Sequence, residues 1–305
     1  MRDYLGYLFI FLAAICWAFI GPVGRFAMEA GVEPLEVAFW RAAVAGFFFL
    51  LYAAYSRTLK LNSGRDLLVF AVFGACALGG FFGSYQYAVQ HGGAALSSVL
   101  LYTAPAWVAV FSRIFFKDRL TLAKSAAIGI ALTGVALISF SGPSDDAALG
   151  IADGNAGSVS ALGVLFGLLS GLLYSTHYVF AKKYLSAYTV YTMYGYAMLF
   201  GALTLFPFVR FTDKGPFEWF VVLFVGLVCT FAAYLFYCAG MKRLDPTRAA
   251  VLATLEPVVA TAAAWWLWDE YFAFGGWIGA ALIIAAVLIL VLAPGNEKNS
   301  IPEHR

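Results

Sequence analysis

The chain has 305 residues, 63% hydrophobic and only 12% charged, with a net charge of +2. A soluble domain carries about 25% charged residues, so this chain cannot keep its apolar surface out of water by folding alone. It reads as a polytopic membrane protein, and the absence of a basic stripe excludes nucleic acid as a partner.

Crossing a bilayer as a helix takes about 20 apolar residues. In chain order, runs of that kind cover Tyr4–Ala27, Pro34–Tyr55, Leu67–Val89, Ala94–Phe116, Thr121–Phe140, Ala161–Ala181, Tyr188–Phe211, Phe217–Met241, Thr247–Trp268 and Phe272–Ala293. These predict an all-α protein of ten transmembrane helices. The first run is too long for a cleavable signal and has no A-x-A site, so it is expected to insert the chain itself. Most links are short. The exception, 141–160, is rich in Gly, Ser and Asp and divides the chain. The expected layout is a first five-helix repeat over 1–140, an extracytoplasmic linker over 141–160, a second repeat over 161–293 and a cytoplasmic tail over 294–305. Cys16, Cys76, Cys229 and Cys238 all lie in apolar runs without ligand spacing and are expected to be small buried thiols.

Charge sets the orientation. With the N-terminus inside, the cytoplasmic links collect most of the Lys and Arg, among them Arg57, Lys117, Lys124, Lys182, Lys242 and Arg248, and the outer links only Arg25, Arg210 and Lys214. Asp269 and Glu270 fall outside. This predicts an N-in, C-in topology.

The halves resemble each other. A shift of 152 puts Ala104-Pro105 on Glu256-Pro257, Gly74 on Gly226, Tyr85 on Tyr237 and Val99-Leu100 on Val251-Leu252; near the beginnings a shift of 157 puts Trp17 on Tyr174. Five spans per half is an odd number, so the second half must be inverted relative to the first. Inverted repeats belong to secondary transporters, whose sites lie near the midplane between the repeats; duplication in a structural membrane protein leaves the same trace.

Several stretches carry a family resemblance: W-A-F-I-G-P from Trp17, P-L-E-V-A-F-W-R from Pro34, K-D-R-L-T from Lys117, and above all M-K-R-L-D-P-T-R-A-A-V-L-A-T-L-E-P-V from Met241 to Val258. Over nearly its whole length the chain resembles the drug/metabolite transporter superfamily in its EamA-like branch. The resemblance implies ten helices in two inverted five-helix repeats, a central cavity, and metabolite export across the bacterial inner membrane. Where that family often has Gly-Glu after its fourth helix, this chain has Lys117-Asp118.

Glu256 is the deepest ionisable residue of the predicted spans, and an acid at bilayer depth costs a few kcal/mol or more. It reads either as a proton-coupling or amine-binding carboxylate or as a structural acid bonded to a neighbouring helix. Pro105 and Pro257 form a repeat pair and read as hinges or as tolerated kinks. Trp17 and Tyr174 match in the first helix of each half, with His177 and Tyr178 on the face of Tyr174; they read as solute walls or as core. Tyr85, Tyr102, Tyr234 and Tyr237 are further candidate cavity residues. Arg41 binds a solute carboxylate, pairs with Glu36 or Glu33, or snorkels outward, the structural readings being preferred. Trp265, Trp266, Trp268, Tyr188 and Tyr191 sit at span ends, where an aromatic belt explains them. Gly79, Gly80 and Gly83 present a small-residue face for tight packing.

There is no Walker loop, H-E-x-x-H, G-x-S-x-G or metal-binding acid cluster. The expectation is a non-enzymatic secondary exporter of small organic metabolites such as amino acids, without cofactor, working by alternating access. Its expected partners are a small-molecule solute, protons and the lipid bilayer, and it is expected as a monomer or homodimer. The alternatives are a multidrug exporter of lipophilic cations and a non-transport membrane protein.

Overall fold

The computed structural model describes residues 4–92, 94–141, 161–268 and 274–293, and among these there is no strand. The helices are α1 (Tyr4–Ala18), α2 (Ile20–Glu29), α3 (Pro34–Tyr55), α4 (Gly64–Phe73), α5 (Phe81–Gly92), α6 (Ala94–Leu101), α7 (Ala104–Phe116), α8 (Leu122–Ser141), α9 (Ala161–Tyr184), α10 (Val190–Leu205), α11 (Pro216–Gly226), α12 (Ala233–Met241), α13 (Pro246–Ala253), α14 (Glu256–Trp268) and α15 (Phe274–Leu292). Local chemistry sets many boundaries. Pro34, Pro216 and Pro246 occupy first-turn positions, where the missing N–H has no partner to lose. The side chains of Ser63, Thr189 and Asp245 accept backbone N–H groups at the starts of α4, α10 and α13. Gly31, at φ +94, turns the chain from α2 into α3.

Among the described residues nine helical stretches are long and apolar enough to cross a membrane. The seventh predicted span falls short, because α10 has 16 residues before a 3-10 turn at Phe206–Phe208. The first, fourth and ninth predicted spans are not continuous. They break at Phe19, at Tyr102–Thr103 and at Thr254–Leu255. The third and eighth stay helical but widen into π-helix over Gly74–Gly80 and Leu227–Ala232. The linker 142–160, the tail beyond 293, and Asp269 and Glu270 lie outside the described residues.

Four helix pairs build the bundle, and each joins the two halves: α8 with α15, α3 with α10, α1 with α12, and α5 with α9. Each pair is antiparallel. Ala127 and Ala131 cluster with Ala286 and Leu290, whereas Val135 and Ile138 cluster with Ala280 and Ile283. Phe39 meets Phe206, with ring centroids 6.0 Å apart, and Tyr52 meets Tyr191 at 4.0 Å. Gly6 lies against Leu244 and Gly240 against Ile10. Phe81 stacks near Tyr174 and Tyr87 near Phe166, at 5.3 and 4.5 Å. Glycines permit the closest crossings. A Cβ on Gly279 would lie 2.5 Å from the Gly134 carbonyl oxygen, and one on Gly134 would lie 2.7 Å from that of Gly279. Gly79 is pressed against Thr204 as expected, but Gly83 is exposed with nothing within 4 Å of a Cβ, so the predicted glycine face is only partly a packing face.

At the end of the bundle where the chain starts, a buried ion network ties the halves. Lys124 Nζ lies 3.0 Å from Asp118 Oδ2 and 3.1 Å from Asp245 Oδ1. Arg248 Nε lies 3.2 Å from Asp245 Oδ2, and its guanidinium donates to Tyr7 and to the Leu290 carbonyl. Lys182 donates to the Leu244 carbonyl just past α12, where the helix dipole favours a cation. Lys117 makes this turn with φ 55, in the left-handed region, and so ends α7 and brings Asp118 inward.

Two further expectations are corrected. Tyr188 is buried and belongs to no belt: its hydroxyl donates to Asp66 at 2.5 Å and accepts from the Asn62 backbone at 2.8 Å. Cys76 is exposed on an outer groove also lined by Leu68, Val72 and Thr176, because π-helical widening turns it away from the core; Cys229 and Cys238 are buried.

Two stability changes follow. Gly279→Ala forces the α8–α15 crossing apart and is expected to cost about 1–3 kcal/mol in detergent unfolding. Gly129→Ala, where a Cβ meets nothing, is the control and should show no loss. Lys117→Gly relieves a left-handed residue and is expected to raise stability by about 1 kcal/mol in the same assay.

Candidate functional site

Glu256 opens α14, directly after the break at Thr254–Leu255. A half-helix that begins inside the bundle presents unpaired N–H groups and the positive end of its dipole, which favours a carboxylate there. Pro257 occupies the second position of α14 and Pro105 the second position of α7. Neither proline therefore sits inside a helix: each starts a new one after a break, where its missing N–H leaves no bond unmade. At both breaks a threonine hydroxyl turns back on the chain, Thr103 to the Leu100 carbonyl and Thr254 to the Val251 carbonyl, each at 2.6 Å.

The Glu256 carboxylate faces the hydroxyl of Tyr102, at the break between α6 and α7. By surface exposure Glu256 is half-buried. Tyr85 and Tyr174 are likewise half-buried and lie close enough to feel its charge.

Arg41 stands across from it. The guanidinium neither snorkels nor pairs with Glu36, whose carboxylate is taken by Lys214, Thr212 and Trp40. Instead Nε donates to Thr230 Oγ1 at 3.3 Å, and the guanidinium carbon lies 5.0 Å from the centroid of the Phe82 ring. Thr230 is held ready for this by the π segment, since its hydroxyl donates five residues back, to the Val225 carbonyl at 2.9 Å. The charge of Arg41 acts on Glu256, and Tyr174 and Tyr234 feel both. Among the described residues no salt bridge joins the two. Glu36, with Lys214, was legible as an acid near a span end; its role as the tie between α3 and the segment before α11 was not.

The aromatic candidates Trp17, Tyr174, Tyr178, Tyr234 and Tyr237 fall in one hydrophobic cluster. Trp17 packs edge-on to Tyr234 with centroids 5.7 Å apart, and against Tyr237 at 5.5 Å. Tyr174 lies tilted against Phe81 and edge-on to Tyr178. Trp17 and Tyr174, paired by the repeat, thus occupy corresponding places against the third helix of the opposite half. Tyr178 and Tyr237 are almost wholly buried and pack against each other at 5.5 Å. His177 uses both ring nitrogens. Nε2 donates to the Ala77 carbonyl at 2.9 Å, which leaves Nδ1 to accept from the Tyr234 hydroxyl at 3.4 Å. It positions Tyr234 and has no ring nitrogen to spare for a ligand.

Arg41 is the residue whose surroundings were not legible in the sequence. Its depth, roughly 10 Å from the end of α3 at 1.5 Å per residue, fits snorkelling as well as an inward reach. One signal was present: Glu36, its expected partner one turn away, lies beside Trp40 rather than on the Arg41 face.

Comparison with known proteins places this geometry. Residues 4–140 and 161–292 match the EamA-like transporter family. An uncharacterized transporter of Archaeoglobus fulgidus is 28% identical over 271 residues, 88% of this chain and 91% of that protein. A probable terminal-alkyne amino-acid exporter of Streptantibioticus cattleyicolor is 24% identical over 92% of this chain and 91% of its own length. A solved crystal structure superimposes with a TM-score of 0.78 at 19% identity, covering 96% of this chain and 98% of that one, which speaks to the fold alone. With helices that suit a membrane and a family match along both halves, the chain belongs to the EamA-like transporter family and is a multi-pass membrane transporter.

Proposed function

We propose that this protein is a secondary transporter that exports small organic metabolites such as amino acids across the bacterial inner membrane by alternating access. The observation that carries the reading is the meeting of two discontinuous spans at one charged, aromatic site between the halves. Transporter sites are built this way because half-helix termini supply fixed dipoles where lipid supplies none. The amino-acid exporter among the relatives supports the substrate class.

In this reading the chain forms ten spans, N-in and C-in, with α10 and its 3-10 turn as the seventh. The halves 1–140 and 161–293 are inverted repeats, supported by the antiparallel pairing of the second span with the seventh and the fifth with the tenth. Pro105 and Pro257 act as hinges at the two breaks. The Lys124–Asp118–Asp245–Arg248 network closes the cytoplasmic end and must part when that end opens. Glu256 carries the coupling proton. A lipophilic-cation exporter would share the aromatic wall and the acid, but such a cargo would meet the like charge of Arg41.

Counterflow of labelled amino acids into proteoliposomes is expected to exceed that into empty liposomes. A folded protein that exchanges no metabolite at all would sink the transport reading. Glu256→Gln is expected to abolish uphill transport driven by a pH gradient while leaving exchange down the solute's own gradient measurable. Uphill transport that survives the substitution makes Glu256 a structural acid.

A further inference from the structure

The two charges at the centre are arranged in a way that transport alone does not require. Opposite charges in an apolar interior gain most by pairing directly, and an unpaired one is costly. Arg41 and Glu256 feel each other, yet different helices hold them apart. Thr230 and the Phe82 ring take the guanidinium, and Tyr102 takes the carboxylate. Neither partner is charged, so neither neutralises the group it holds. Among the described residues Arg41 donates one hydrogen bond, to Thr230, of the five that a guanidinium offers. Both groups are half-buried, and Tyr174 and Tyr234 lie close enough to feel both.

Resting on the transport reading above, we propose that Arg41 and Glu256 form the two poles of a zwitterion site: Arg41 takes the carboxylate of the solute and Glu256 its ammonium. The charges decide the class. A simple cation satisfies Glu256 and is repelled by Arg41. A simple anion satisfies Arg41 and is repelled by Glu256. A zwitterion satisfies both and adds no net charge, so the loaded site crosses the bilayer interior without a new uncompensated ion. The guanidinium fork matches a carboxylate in two parallel hydrogen bonds. An ammonium gains from the faces of nearby aromatic rings as well as from the acid. Trp17, Tyr174 and Tyr234 then face the apolar remainder of the solute, which favours a bulky apolar or aromatic side chain over a polar one.

The test is competition in the proteoliposome counterflow assay, with labelled phenylalanine as the reporter. Unlabelled phenylalanine is expected to compete at least about tenfold better than phenethylamine, which lacks the carboxylate, or 3-phenylpropionate, which lacks the ammonium, since each has lost a charged hydrogen-bonding partner. Each variant should erase one half of that discrimination. In Arg41→Gln, phenethylamine should compete as well as phenylalanine. In Glu256→Gln, 3-phenylpropionate should do so. A merely structural role for either residue would lower all three alike and leave their order unchanged, which overturns the proposal. Equal competition by all three in the unsubstituted protein overturns it too. If amines or carboxylates exchange but amino acids do not, the zwitterion site is wrong and transport stands. If nothing exchanges, both fail.

Discussion

In a bilayer interior there is no water to satisfy a backbone N–H or C=O, so an interrupted helix is tolerable only where protein encloses the break. That constraint organises this molecule. The chain breaks at Tyr102–Thr103, between α6 and α7, and at Thr254–Leu255, between α13 and α14, positions that correspond under the 152-residue shift. Both breaks lie within the bundle. Glycine makes the enclosure tight: a Cβ on Gly171 of α9 would lie 2.6 Å from the Leu100 carbonyl oxygen and 2.7 Å from Thr103 Oγ1. Threonine hydroxyls take up carbonyls at each break, and a proline without an N–H starts each new helix. What remains unbonded by the backbone is the start of α14, and Glu256 stands there.

The halves share backbone devices and differ in side chains. Both third helices widen into a π segment at matching positions, and in each half that segment receives a polar group from the opposite half. Ala77 accepts from His177, and Thr230 accepts from Arg41. Yet the residues on these devices do not match. Ala104 stands where the second half has Glu256, and Gly79, Gly80 and Gly83 stand where it has Phe231, Ala232 and Leu235. Arg41 likewise falls on Met193, so neither charge is repeated in the other half. The ends differ as well. One is bound by a ramified ion network around Lys124, and the other holds the compact tie of Glu36 with Lys214.

Much of this was legible because period and length report helices directly. The second span matches its predicted bounds of Pro34 and Tyr55 at both ends, since Pro34 starts it and the apolar run ends it. The repeat also pointed to Pro105 and Pro257 before any coordinates. Hydropathy cannot see a break, though, because the residues on either side of Thr103 or Thr254 are as apolar as those of a continuous helix. It cannot see direction either. Tyr188 at a span end looks like an interfacial anchor until Asp66 and Asn62, more than 120 positions away in the chain, are found on its hydroxyl.

The sequence by itself therefore determined the class, the helical segments, the two-fold internal likeness and the lack of an acid opposite Glu256, all of which rest on local composition or on comparing the chain with itself. Only the tertiary structure decided which charges meet. Arg41 lies 189 positions from Thr230 along the chain, and whether it reaches lipid headgroups, Glu36 or the centre depends on how α3 is rotated against its neighbours. Rotation about a helix axis is set by packing across the whole bundle, with α10 on one side and the π segment before α12 on the other, and no local pattern records it.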